Sequence, residues 1–193
     1  MNIMKNEMLE KLTALPLECG AFKANVIKTE KIETDRRFRD MCEANSCGIY
    51  GKCWMCPPDV GDIDLLMGEI AKCDYALVYQ TVFELEDSFD FEGMVSAKKK
   101  SYKITQNIRE KFDKLGTKKS LHLGSGGCGV CPTCAKRDEQ PCRFPNLAIA
   151  SLEAYGINVS QLAKAAEMKY INGADTVTYF GAVLFSLDGE RYE

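Results

Sequence analysis

Apolar and polar positions follow two rhythms along this chain. Met4, Met8, Leu9 and Leu12 recur at helical spacing over residues 1–16, which predicts an amphipathic helix that Pro16 stops. Over 22–29 the apolar Phe22, Ala24 and Val26 take every second position, the period of a strand. Asp35 then opens a short helical stretch with Phe38, Met41 and Cys42 turned one way. Asp62 suits the N-cap of a helix whose Ile63, Leu66, Met67 and Ile70 face a core. Residues 75–85 are rich in β-formers and predict a strand. Over 91–115, Val95, Ile104, Ile108, Phe112 and Leu115 predict a long helix ended by Gly116. A short strand is expected over 120–123. Pro145 suits the first turn of a helix that runs through Leu147, Leu152 and Tyr155 to Gly156. Ser160 can cap a further turn or two through Leu162, Ala163 and Ala166. Residues 176–187, apolar almost throughout, predict a central strand. The expected fold is α/β or α+β: a single sheet of about four strands covered by helices, in one domain over 1–193. Two cysteine-rich loops, 42–58 and 124–145, interrupt the regular elements.

Composition narrows the function classes. A hydrophobic share of 46% with 27% charged residues and a net charge of −3 fits a folded soluble domain. That balance makes no electrostatic case for nucleic acid or a membrane surface. Lys98, Lys99 and Lys100 form the one basic run and read as a solvated helix face. The first twenty residues scatter charges among apolar positions, unlike a signal peptide, and no apolar run is long enough to span a bilayer. A cytoplasmic protein is expected, where ten cysteines point to metal rather than to disulfides.

The strongest chemical signal is GSGGCGVCPTCAKRDEQPCRFP over 124–145. Cys128, Cys131 and Cys134 stand at two-residue spacing and Cys142 follows eight positions on. A C-x2-C-x2-C run lets one loop wrap three corners of an iron–sulfur cube, with the fourth thiolate arriving from further along. Gly124, Gly126, Gly127 and Gly129 would let backbone N–H groups approach sulfur, and Lys136 and Arg143 add positive charge beside an anionic cluster. A helix begun at Pro145 would point its positive end at Cys142. Zinc is the rival, although zinc loops usually pair two separated C-x2-C units. Thiol chemistry or disulfides form a third option. GSGG lacks the Gly-Lys-Ser/Thr ending of a phosphate loop.

The first group, Cys42, Cys47, Cys53 and Cys56, is less regular. Gly51 and Pro57–Pro58 would set its turns; Tyr50 and Trp54 either shield a cluster or simply pack. The run C-x4-C-x2-Y-G-x4-C-P-P, with the later C-x2-C-x2-C, P-C-R-x-P and the S-x-E-A-x-G-I of Ser151, Glu153, Ala154, Gly156 and Ile157, resembles a bacterial and archaeal family of cysteine-rich predicted metal-binding proteins. The resemblance spans 42–159. It implies a metal and names no substrate. Cys42, Cys47 and Cys56 match that pattern, whereas Cys53 does not, so Cys53 is either a fourth ligand or a spare, and a fourth ligand from elsewhere in the chain is a further option.

Outside the loops, Cys73 reads as a buried structural thiol and Cys19 as a loop residue, with a spare-ligand role as its alternative. His122, the one histidine, reads as packed, with a cluster ligand or nearby proton donor as the alternative. Asp59, Asp62 and Asp64 read as helix capping. No nucleophile elbow or HExxH motif supports a hydrolase. The expected function is electron transfer to or from a redox protein through two [4Fe-4S] clusters on Cys42, Cys47, Cys53, Cys56 and Cys128, Cys131, Cys134, Cys142. The alternatives are an iron–sulfur oxidoreductase with an open first cluster, and a zinc-stapled or cluster-carrying module.

Overall fold

The computed structural model describes residues 2–115 and 120–187. Five helices and one open five-stranded mixed sheet make up the described chain. In order these are α1 (Asn2–Glu18), β1 (Lys23–Lys28), α2 (Arg37–Glu43), α3 (Ile63–Ala71), β2 (Tyr75–Glu84), α4 (Phe91–Asp113), β3 (Ser120–Gly124), β4 (Ala150–Ser151), α5 (Val159–Ala165) and β5 (Thr176–Phe185). The sheet order is β1-β2-β5-β3-β4, with only the β3–β4 pair parallel. The fold is therefore mixed α/β, as expected.

The apolar runs of β2 and β5 form strands because both faces of the sheet are covered. On one face Tyr75, Leu77 and Tyr79 of β2 and Val183 and Phe185 of β5 pack against Leu12 and Leu15 of α1 and Ile108 and Phe112 of α4. On the other, Ala76, Val78, Ala182 and Leu184 pack against Ile70 of α3, Leu162 and Ala163 of α5, and the segment from Ala150 to Ile157. A strand wetted on one face would alternate; these do not. The N-cap expectation at Asp62 holds: its Oδ1 accepts from the N–H of Asp64 and Leu65 at 2.9 and 3.2 Å.

Several expectations are corrected. Pro16 lies inside α1, which continues to Glu18. The helix expected from Pro145 does not form. The chain instead extends so that Ala150 and Ser151 pair with Leu123 and Gly124, and only a 3-10 turn, Glu153–Tyr155, follows. Leu147, Leu152 and Tyr155 thus owe their spacing to a strand and a turn, and Cys142 precedes no helix. The fifth strand comes from that segment. Asn158, not Ser160, caps α5, its Oδ1 accepting from Gln161 N–H at 3.3 Å. On α4 the buried stripe is Ala97, Ser101, Thr105, Ile108 and Phe112, while Val95 and Leu115 are 55% and 50% exposed. Ser101 and Thr105 are tolerated there because Thr81 Oγ1 donates to Ser101 Oγ at 2.9 Å and Tyr79 Oη to Thr105 Oγ1 at 3.1 Å. Met41 and Phe22 are also exposed. Gly116 and the side chain of Met4 lie outside the described residues.

Neighbouring strands differ in length on one side of β5. β3 stops at Gly124, its last pairing to β5 being Leu123 with Ala182. From Gly181 back to Thr176, β5 is paired on its β2 side.

Candidate metal centre

At the end of β3 the backbone turns into the glycine loop and passes close to two other elements. A Cβ on Gly127 would stand 3.2 Å from Ile49 and 3.4 Å from the Sγ of Cys56. A Cβ on Gly129 would stand 3.1 Å from the Tyr102 ring of α4. Only glycine allows approaches this close without displacement.

The two cysteine loops are clasped together. Trp54 Nε1 of the first donates to Gln140 O of the second at 2.9 Å. Lys136 lies 4.4 Å from the Trp54 ring centre and pairs with Asp59 Oδ1 at 2.5 Å. Asp59 is therefore half of a largely buried ion pair rather than a helix cap. Arg143 is turned to the Thr133 carbonyl of its own loop. Within the first loop, Gly51 N–H donates to Pro57 O at 2.9 Å and Cys56 N–H to Cys53 O at 3.0 Å, closing a tight turn around the C-x2-C unit.

This clasp sorts the thiols differently from their order in the chain. Cys53 lines one small cavity together with Cys128, Cys131, Cys134 and Cys142. Cys42 and Cys47 instead lie where their charges act on Cys56. The two sets meet where the thiols of Cys53 and Cys56, on one tight turn, act on each other. The Cys56 thiol first, then the Met55 and Cys128 N–H groups and the Cys134 thiol, lower Cys53 against the effect of its burial. Cys56 moves up, through Cys53 first and then by its burial. Burial raises Cys42, and the carboxylate of Glu153 adds to it. Burial also raises Cys128, against N–H donors from Val130 and Ile149. For Cys53 and Cys128, then, the amides come from Met55, Cys128, Val130 and Ile149, and the glycines serve close packing. Among the described residues no three Cys, His, Asp or Glu side chains converge as a ready single-ion site.

The remaining sequence candidates fall outside this centre. Cys73 is buried in the core and its thiol faces the Glu69 carbonyl at 3.9 Å. Cys19 packs beside α1 and α4. His122 stands edge-on to Phe112, ring centres 5.8 Å apart, with its Nε2 at 3.0 Å from Ser120 Oγ and 2.9 Å from Asp113 Oδ1. Both contacts use the same nitrogen, so the trio cannot relay a proton as a catalytic triad would.

Three neighbours of the centre lie outside the cysteine motifs. Tyr102 Oη reaches the Cys128 sulfur and accepts from Gln106 Nε2 at 2.6 Å. Lys98 Nζ rests near Gly126, 3.2 Å from where a Cβ would stand. Glu153 opens the 3-10 turn next to α2, where Arg39 Nη2 donates to Ala154 O at 3.2 Å, and its charge raises Cys42. Lys98, Tyr102 and Gln106 recur at a spacing of four beside the buried stripe of α4, a signal the sequence did carry.

No helix among the described residues is long and apolar enough to cross a membrane. Neither the curated proteins nor the solved structures include a match to this chain. The family described as "Predicted metal-binding protein (DUF2284)" matches residues 25–185. With eight of its ten thiols on two clasped loops, the chain belongs to that family of predicted metal-binding proteins.

Proposed function

We propose that this is an iron–sulfur oxidoreductase whose two thiol groups hold two clusters of the [4Fe-4S] type with different duties. The observation that carries the reading is the position of Cys53. It lines the cavity of Cys128, Cys131, Cys134 and Cys142, which leaves Cys42, Cys47 and Cys56 as a three-thiol cradle.

The donor set suits the group. Its side chains are thiols, the ligands cluster iron prefers over oxygen donors. N–H groups of Met55, Cys128, Val130 and Ile149 are turned to sulfur, as an anionic cluster requires. Lys136 and Trp54 hold the two loops against one another, so the cradles keep a fixed separation. When bound, such clusters supply one-electron redox chemistry and, in the three-thiol cradle, an iron with a free coordination position. The protein's own contribution is to orient the sulfurs, donate hydrogen bonds to them and keep the two groups adjacent through Cys53 and Cys56. Electrons would reach the five-thiol group from a redox protein partner, and substrate would meet the three-thiol group. Plain electron transfer, the expectation from sequence, is the second reading, favoured by the direct Cys53–Cys56 contact.

Anaerobic purification followed by iron, zinc and sulfide analysis tests the proposal. About eight iron and eight sulfide per chain are expected from two four-iron clusters. Stoichiometric zinc without labile sulfide would sink it. Replacing Cys42 should then abolish one cluster and spare the other.

A further inference from the structure

Because β3 ends at Gly124 while β5 runs on toward Thr176, a cleft of about 230 Å³ remains beside Thr178, Tyr179 and Phe180. Its other walls are Lys98 of α4, Ser125 and Gly126 of the glycine loop, and Glu153. We propose that this cleft is the substrate site of the Cys42, Cys47 and Cys56 group, and that it takes a small organic monoanion with an apolar body, a carboxylate. The inference rests on the open-cradle reading of that group.

Placement comes first. Gly126 lines the cleft, and the next residue, Gly127, is packed against the sulfur of Cys56. Glu153 also lines the cleft, and the carbonyl of its neighbour Ala154 accepts from Arg39 of α2, the helix that carries Cys42, at 3.2 Å. The cleft and the three-thiol cradle thus share a wall on two sides.

The chemistry of the walls selects the ligand. Lys98 supplies a cation, and among the described residues no carboxylate lies within ion-pairing distance of it. Lys98 is exposed, as the reading of the basic run as a solvated helix face expects, and its Nζ rests beside Gly126 of the glycine loop. Tyr170 stacks on Phe180, ring centres 5.9 Å apart and 13° from parallel, and is 52% exposed, which gives the cleft an aromatic side. Tyr179 is held by donating to the Met94 carbonyl at 3.0 Å. Glu153, which also lines the cleft, disfavours a second negative charge, which selects a carboxylate over a phosphate monoester. The volume corresponds to roughly eight waters at about 30 Å³ each, the scale of a benzoate.

Ligand-observed NMR on the full chain, prepared anaerobically, tests this with benzoate, phenyl phosphate and benzyl alcohol as probes. Benzoate is expected to bind saturably, phenyl phosphate more weakly and the neutral alcohol not at all. Lys98→Gln should weaken benzoate about tenfold or more, as loss of a charge-assisted contact does. Lys99→Gln should leave it unchanged. No saturable benzoate binding, equal binding by Lys98→Gln, or equal binding of the alcohol would overturn the site. Tighter binding of phenyl phosphate would overturn the monoanion assignment. Iron and sulfide are assayed in the same samples, and the electron paramagnetic resonance spectrum of the reduced protein is recorded with and without benzoate. A spectrum altered by benzoate supports the link to the cradle; an unaltered spectrum from iron-loaded protein overturns it. Metal-free protein that still binds benzoate through Lys98 supports the anion site and overturns the cluster reading.

Discussion

Tyr102 accepts a hydrogen bond from Gln106 Nε2, so its own proton is free to point at the Cys128 sulfur. Gln106 also donates to Leu147 O at 3.0 Å, which fixes the amide and through it the phenol. Donors to a ligand sulfur stabilise the reduced, more negative cluster. If the five-thiol group holds the cluster proposed for it, Tyr102→Phe should keep that cluster and lower its reduction potential, read by potentiometric titration; an unchanged potential would show that the hydroxyl does not serve the sulfur. At His122 the consequence is for stability. Burial, with Arg109 nearby, holds its pKa below the ordinary histidine value of about 6.5, against the opposing pull of Asp113. The folded state thus favours the neutral ring, and its contribution is complete above the unfolded value. As pH falls through about 6.5 the unfolded chain takes the proton first, and stability drops by no more than about 1.4 kcal/mol per pH unit. Denaturant titrations at about pH 7.5 and 5.5 should show wild type losing stability relative to His122→Gln across that window.

Contacts between elements rest on a few positions without slack. A Cβ at Gly181 of β5 would overlap the Tyr79 ring and hydroxyl of β2, and Tyr79 is in turn tied to Thr105 of α4. Gly181→Ala should cost ~1–3 kcal/mol, the usual range for overpacking, measured as a shift in the denaturation midpoint. The same packing explains what could be read from sequence and what could not. β2 and β5 were legible because their apolar runs are long, and α3 because Ile63, Leu66, Met67 and Ile70 recur at helical spacing behind the Asp62 cap. The inner face of α4 was only half legible, since Ser101 and Thr105 lie on it and become acceptable only through Thr81 and Tyr79. β4 was not legible at all. It is two residues long, and its partner in β3 lies 27 positions earlier in the pairing of Leu123 with Ala150. The cysteine motifs could be counted directly, but their division could not, because the Trp54–Gln140 and Lys136–Asp59 contacts that place Cys53 join residues far apart in the chain.

At the scale of the molecule, the two apolar layers flank the sheet, while the cysteine loops gather at the end of β3. Ala76, Leu77, Val78, Ala182 and Leu184 have no solvent exposure at all. The sheet should therefore survive loss of metal even if the loops do not. Anaerobic treatment with a strong chelator, followed by hydrogen-exchange mass spectrometry, should raise exchange over 42–58 and 124–145 and leave β2 and β5 protected. Global exchange at a single rate would show instead that the metals staple the whole fold.

The contact between Cys53 and Cys56 reaches beyond geometry. The two sulfurs belong to one tight turn, yet each lines a different group. Filling one cradle fixes the turn and so settles part of the ordering that the other still requires. The sites are then linked thermodynamically, each raising the other's affinity by the same factor. Loading becomes cooperative, and the site that a Cys42 variant keeps should hold its metal less tightly than the same site in the wild type.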